Sequence, residues 1–219
     1  MQYLQIEPQM QRSASSSGPL CGLPEVVSCS VNKTRGNFQF QFDPHSAGSY
    51  LHLSKNNTKV TKGKMQKCNS LPDLITAKPK THSRNAYTIL GNRAISEGKH
   101  YWEIQTGDGS FTIGFAYRTV RRDKDIGWTK KSWGLEKQKW IPLKPHDFVV
   151  KALAQGEQTE VHISTCPERI GVHLDYDLGS VTFTDPATKE VIHTFNVKFE
   201  EPVVPAFSLY KGSLSICSD

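Results

Sequence analysis

The amino-acid sequence predicts an all-β fold, two antiparallel sheets packed face to face, and three observations carry that prediction. Apolar residues alternate with polar ones in short runs, as in Phe38-Gln39-Phe40-Gln41-Phe42 and again at Ile170, Val172, Leu174 and Tyr176; a period of two belongs to a strand with one buried face. Sixteen Gly and twelve Pro are spread along 219 residues and divide the chain into many short segments, as in sandwiches. No stretch sustains the 3.6-residue period of an amphipathic helix.

Residues 97–117, EGKHYWEIQTGDGSFTIGFAY, organise the prediction. Tyr101 and Glu103 alternate with Trp102 and Ile104, and Phe111, Ile113 and Phe115 alternate with Thr112, Gly114 and Ala116. Thr106 to Ser110 lies between them. Its two glycines supply turn chemistry, since Gly takes φ > 0 without a Cβ clash. The expectation is a hairpin at the centre of the sandwich, with Trp102, Ile104, Phe111 and Ile113 in the core.

The remaining elements follow in order. Residues 1–36, rich in Gln, Ser and Gly, hold neither period and are expected to form a disordered tail or linker. The domain then occupies 37–219. Phe38 to Phe42 reads as a strand, Asp43 to Gly48 as a turn in which Pro44 sets φ, and Tyr50 to Ser54 and Thr58 to Thr61 as two more strands. Residues 62–85 are polar, Lys-rich and aperiodic, the pattern of a long exposed loop. Tyr87 to Leu90 is a short strand. Arg118 to Lys131 is a charged loop, Ser132 to Leu135 a strand, and Glu136 to Trp140 a turn and its return. Strands are also expected at 149–154, 160–163, 169–176, 181–184, 191–195, 203–210 and 214–217.

Composition narrows the function. No window approaches 18 continuous apolar residues, so no membrane-spanning helix is expected, and the N-terminus lacks the apolar core of a signal peptide. Five Cys, none in a CxxC pair, read as reduced thiols of an intracellular protein, with no zinc site. Net charge is +6, unevenly spread: residues 51–100 hold ten Lys/Arg against two acids, and residues 140–219 hold six against eleven. The Lys55, Lys59, Lys62, Lys64, Lys67 run and the 118–131 loop are read first as solvated surface, with an acidic protein surface or RNA backbone as the sharper alternative. Asp175 and Asp177 share a strand face but sit at a hairpin turn, where capping backbone N–H groups is the simpler role. Eight His have no metal-binding spacing, no nucleophile motif stands out, and no phosphate loop precedes a helix. No catalytic residue, metal or cofactor is assigned. Trp102 and Trp133 lie within alternating strands and belong to the core. Trp128 and Trp140 border charged loops, where Trp is favoured as a binding anchor.

Several blocks resemble a known family. Phe42-Asp43-Pro44-His45-Ser46-Ala47 followed by Tyr50-Leu51-His52-Leu53-Ser54 resembles the PRY segment. Gly98-Lys99-His100-Tyr101-Trp102-Glu103-Ile104 resembles the start of the SPRY segment, and Ser132-Trp133-Gly134-Leu135 its SWxL strand. Arg169 to Tyr176 with Gly179 to Phe183 is similar to its RIGVxLDYxxGxVxFY block, and Val204 to Phe207 to its closing PxF. The order and spacing hold from about residue 38 to 217. The resemblance implies a PRY-SPRY (B30.2) domain, a bent antiparallel sandwich with a PRY part at about 37–90 and a SPRY part at about 91–219.

Within that family the chain looks most like the C-terminal domains of tripartite-motif and RING ubiquitin ligases, Riplet-like ligases of antiviral RNA sensing among them. The resemblance implies a monomeric, cytoplasmic, non-enzymatic module of innate immunity that recognises a protein partner or ubiquitylation substrate through rim loops. It places the partner site at Arg84, Asn85 and Tyr87, at Glu136, Lys137, Lys139 and Trp140, and at Tyr210. The charged loop adds Arg121, Arg122 and Trp128. Some relatives carry aromatic residues directly after SWxL. Here Glu136 to Lys139 stand there, so a polar, charge-complementary surface is expected. The alternatives are RNA or polyanion binding through the basic loops, and a regulatory role for a ligase-like domain that lacks RING, B-box and coiled-coil patterns.

Overall fold

The computed structural model describes residues 37–63, 87–139 and 148–218, all within one compact unit, Arg35–Asp219. Their alternating runs become thirteen strands: β1 Leu51–Ser54, β2 Lys59–Lys62, β3 Thr88–Leu90, β4 Lys99–Thr106, β5 Phe111–Tyr117, β6 Ser132–Lys139, β7 Phe148–Ala154, β8 Glu157–Val161, β9 Arg169–Asp175, β10 Ser180–Thr184, β11 Val191–Asn196, β12 Val203–Leu209 and β13 Ser213–Ile216. They form a seven-stranded sheet, β1-β2-β13-β4-β9-β10-β11, and a six-stranded sheet, β3-β12-β5-β6-β7-β8. Every pairing is antiparallel. The fold is the expected all-β sandwich. Among the described residues the one helical turn is a 3-10 turn, Pro44–Ser46, capped by the Asp43 carboxylate, which accepts from His45 N at 2.9 Å. The tail prediction for residues 1–36 and most of the long-loop prediction for 62–85 lie outside the described residues.

Alternation decides the core. Trp102, Ile104, Val172, Leu174, Val181 and Phe183 point inward from one sheet; Phe111, Ile113, Phe115, Trp133, Leu135 and Phe207 meet them from the other. Phe115 stacks on Trp133 at 5.2 Å. Each fully buried side chain of this size stabilises the fold by about 1.5–3 kcal/mol. Trp102 and Trp133, 1% and 3% exposed, are core as expected.

Three local expectations are corrected. Phe38 to Phe42 is not a paired strand. It is extended chain with one bridge, Phe42 to Gly91, whose rings close one end of the core against Trp102 and Phe207. The 97–117 segment is not a hairpin either: β4 pairs with β13 and β9, whereas β5 pairs with β12 and β6. Its turn crosses from one sheet to the other, lying on the β12–β13 connection, which makes the same crossing. A Cβ on Gly109 would sit 1.9 Å from Lys211 O, so glycine permits this stacking. Finally, Glu136 to Lys139 is no turn. It continues β6, hydrogen-bonded in register to β5 on one side and β7 on the other; pairing on both edges overrides the weak strand preference of Glu-Lys-Gln-Lys.

The outer face of the seven-stranded sheet is polar and internally satisfied. Tyr101 Oη donates to Glu103 at 2.6 Å, Arg169 lies 3.6 Å from the same carboxylate, and Thr182 and Thr194 share a hydrogen bond across β10 and β11. His173 bonds Thr184 at 3.2 Å, and burial depresses its pKa. Asp175 and Asp177 cap the turns as expected, accepting from Leu178 N and Gly98 N.

Candidate functional site

The outer face of the six-stranded sheet is different. Outward positions of its strands form a row, Thr88, Ser208, Thr112, Glu136, Lys151 and Glu160, fixed by the register of β3, β12, β5, β6, β7 and β8. Below this row the face is apolar: Leu90, Ala116, Val204 and Ala206 pack against Val120 and Ile126 of the 118–131 loop. The charged loop is therefore bolted onto the sheet at its middle. Ile126 is 1% exposed, and its N–H donates to Ser208 Oγ at 3.2 Å. Gly127 N donates to Ser132 Oγ at 2.9 Å. Gly127 has φ +90°, and a Cβ there would lie 2.3 Å from Leu153 Cβ, so only glycine brings the loop this close.

Bolting holds Asp125 beside the row and Trp128 beside the β7–β8 turn, where Gly156 N donates to Gly127 O at 2.8 Å. Trp128, immediately after the bolt, is 39% exposed. Asp125, immediately before it, lies near Glu136 and Tyr210. Arg121 is exposed and paired with Asp123 within the loop. Arg122 is half-buried in the same loop.

Glu136 dominates the row electrostatically. It is 3% exposed and accepts from Gln138 Nε2 at 3.1 Å. Among the described residues it forms no ion pair. Its register neighbour Lys151 instead donates to Gln158 Oε1 at 3.1 Å. Burial pushes the Glu136 pKa up, Gln138 and Lys151 partly oppose this, and Asp125 adds to it. Tyr210, just past β12, stands beside Asp125 and Thr112; burial and the two carboxylates, Asp125 and Glu136, push its phenol far above the usual tyrosine range. Thr112, fully buried, has its Oγ1 in no hydrogen-bond geometry although the Tyr210 hydroxyl is close.

An aromatic ladder leads away from Tyr210. Its ring lies 5.7 Å from Tyr87, which stacks on Tyr50 at 5.4 Å. Lys62 Nζ caps Tyr50 at 4.2 Å and Tyr87 at 5.4 Å, a cation–π arrangement.

The structure thus gathers Tyr87, Glu136 and Tyr210 from three separate stretches, with Trp128 at the margin. It does not bring Lys137 and Lys139 to this face, because they have the opposite strand parity. Lys137 lies 5.7 Å over the rings of Phe111 and Phe148. Lys139, its side chain 9% exposed, binds Asp108 at 2.8 and 2.9 Å and ties β6 to the β4–β5 crossing; this bond holds the Asp108 pKa down. Arg84, Asn85 and Trp140 lie outside the described residues. Sequence reasoning missed Thr112, Ser208, Asp125 and Lys151. The signal for the first two was parity: polar residues at outward positions of strands otherwise made of buried residues.

Comparison with known proteins agrees with this architecture. The family model for the SPRY domain matches residues 99–217. A mouse protein, "Probable E3 ubiquitin-protein ligase MID2", is 30% identical over 181 residues, 82% of this chain and 24% of its own length. The chain therefore spans about a quarter of that ligase. Among solved structures, the TRIM65 PSpry domain superposes with a TM-score of 0.68 at 24% identity, covering 84% of this chain and 92% of that one. Stonustoxin superposes with a TM-score of 0.63 at 26% identity, covering 82% of this chain and 28% of that one. With the PRY-like and SPRY-like blocks in order on a two-sheet sandwich, and with the family model matched from Lys99 to Cys217, the chain belongs to the SPRY domain family, as a PRY-SPRY domain of the kind found at the C-termini of tripartite-motif proteins.

Proposed function

We propose that this chain is a protein-recognition module that recruits a partner, or a substrate for ubiquitylation, onto the outer face of its six-stranded sheet. One observation carries the reading. This face, unlike that of the other sheet, holds a buried carboxylate that has no ion pair among the described residues, between an aromatic ladder and a bolted loop that displays Trp128. Binding energy concentrates where aromatic and charged anchors sit in partly dry surroundings. The relationship to a ubiquitin ligase supports a recruiting role within a longer ligase, and a cytoplasmic, monomeric module of innate immunity is part of the same proposal.

Polyanion binding has less support among the described residues. Arg121 pairs with Asp123, Lys131 with Glu201 and Lys139 with Asp108, so these cations of the charged stretch are already compensated within the fold.

Site-specific photocrosslinking tests the proposal. p-Benzoylphenylalanine replacing Trp128 or Gln138 is expected to capture one protein partner from cell extract. The same group at Thr194, exposed on the other sheet, is expected to capture none. Equal capture from Thr194, or adducts sensitive to ribonuclease, would contradict the reading.

A further inference from the structure

We propose that Glu136, with Thr112 and Tyr210, forms a notch that takes the guanidinium of an arginine side chain presented by the partner. The inference rests on the recognition face argued above and specifies what that face reads. It also reverses the expectation raised by the chain's basic loops, since the centre of the face is anionic.

The notch is short of donors. An ionised carboxylate has about four acceptor positions, and among the described residues the one side-chain donor bonded to Glu136 is Gln138 Nε2. Thr112 Oγ1 is fully buried, in hydrogen-bond geometry with none of the described residues although the Tyr210 hydroxyl is close, and it stands directly across the strand pair from Glu136. Asp125 adds a second carboxylate beside Tyr210. A buried carboxylate without a counter-ion is costly to keep, and its register neighbour on β7, Lys151, is engaged with Gln158.

Arginine answers these features together. It brings five donors and no acceptor, stays charged, and is more weakly hydrated than an ammonium group. Its planar fork suits a bidentate contact with Glu136, and the Tyr210 ring offers an aromatic surface for the same cation. Glu136 is covered in part by the Gln138 side chain, itself part-exposed and long enough to swing aside. The incoming guanidinium takes the place of the Gln138 amide.

The test is an amide NMR titration of the full chain with n-propylguanidinium, n-butylammonium or propionate at constant ionic strength. Propylguanidinium is expected to give saturable shifts at Thr112, Glu136 and Tyr210, butylammonium weaker ones, and propionate none. Glu136→Gln is expected to weaken propylguanidinium by roughly tenfold or more, the effect of truncating a buried charge pair; Tyr210→Phe keeps the ring and retains most of the binding. A structural role for Glu136 would lower the melting temperature of Glu136→Gln without changing the titration. Absence of saturable shifts, undiminished shifts in Glu136→Gln, or equal shifts with butylammonium or propionate would overturn the arginine assignment. If the titration fails while crosslinks from positions 128 and 138 persist, this inference falls and the recognition face stands.

Discussion

The two sheets of this sandwich have outer faces built by the same rule and finished in opposite ways. On the seven-stranded sheet the outward polar groups answer one another: Tyr101 bonds Glu103, Arg169 neighbours the same carboxylate, His173 meets Thr184 and Thr182 meets Thr194. On the six-stranded sheet a loop is packed across an apolar floor, and beside it, among the described residues, the buried Glu136 carboxylate has a single side-chain hydrogen bond and Thr112 Oγ1 has none. Unsatisfied buried polarity destabilises a fold unless something outside the chain completes it. The contrast therefore separates a face that maintains the sandwich from a face suited to recognition.

The loop bolt gives the largest effect. Ile126→Ala is expected to destabilise the protein by about 2–5 kcal/mol, the range for emptying a buried aliphatic site, as read by chemical denaturation. It should also abolish crosslinking from position 128, because the loop loses its seat. Retained crosslinking at full yield would mean that the loop does not organise the face.

Glu136 sharpens the contrast through pH. Its pKa is raised in the folded state, so between the ordinary carboxylate pKa and the raised value the folded protein binds more protons than the unfolded chain. Stability then falls as pH rises through that window. Glu136→Gln removes the titration. It is expected to melt higher than the parent at neutral pH and to show a flatter profile, while losing affinity. A lower melting temperature at neutral pH would show that the carboxylate serves the fold.

On the satisfied face, Tyr101→Phe removes one hydrogen bond to a carboxylate. About 1.5–3 kcal/mol of stability is expected to go with it, and partner capture should not change. The smallest effect is expected at the β4–β5 crossing. Asp108→Asn keeps the shape but removes an ion pair whose acid is largely exposed, and exposed pairs contribute about 0–1 kcal/mol. Salt should erase the difference between that variant and the parent.

Much of this fold was legible because alternation is local. It placed Trp102, Ile104, Phe111, Ile113 and Trp133 in the core, and Asp175 and Asp177 at turns. What alternation does not carry is which sheet a strand joins. Gly107-Asp108-Gly109 has the chemistry of a hairpin turn, yet the crossing it makes is set by the β12–β13 connection, about a hundred residues away, packing against Gly109. The same gap hid the site. Glu136-Lys137-Gln138-Lys139 read as a polar turn, and a turn would present all four residues to a partner. As a strand, parity turns Glu136 and Gln138 outward and sends Lys137 and Lys139 to the other side, where they pack over rings and bind Asp108. The meeting of Tyr87, Glu136 and Tyr210 depends on the neighbours of three strands, and no stretch of sequence states those neighbours.

Hydrogen–deuterium exchange with the partner recovered by crosslinking from position 128 tests the central claim most directly. Binding is expected to slow exchange in the 118–131 loop, in β6 from Glu136 to Lys139 and around Tyr210, and to leave β10 and β11 unchanged. Protection centred on β10 and β11, with the loop and β6 unaffected, would contradict the assignment of recognition to the six-stranded sheet.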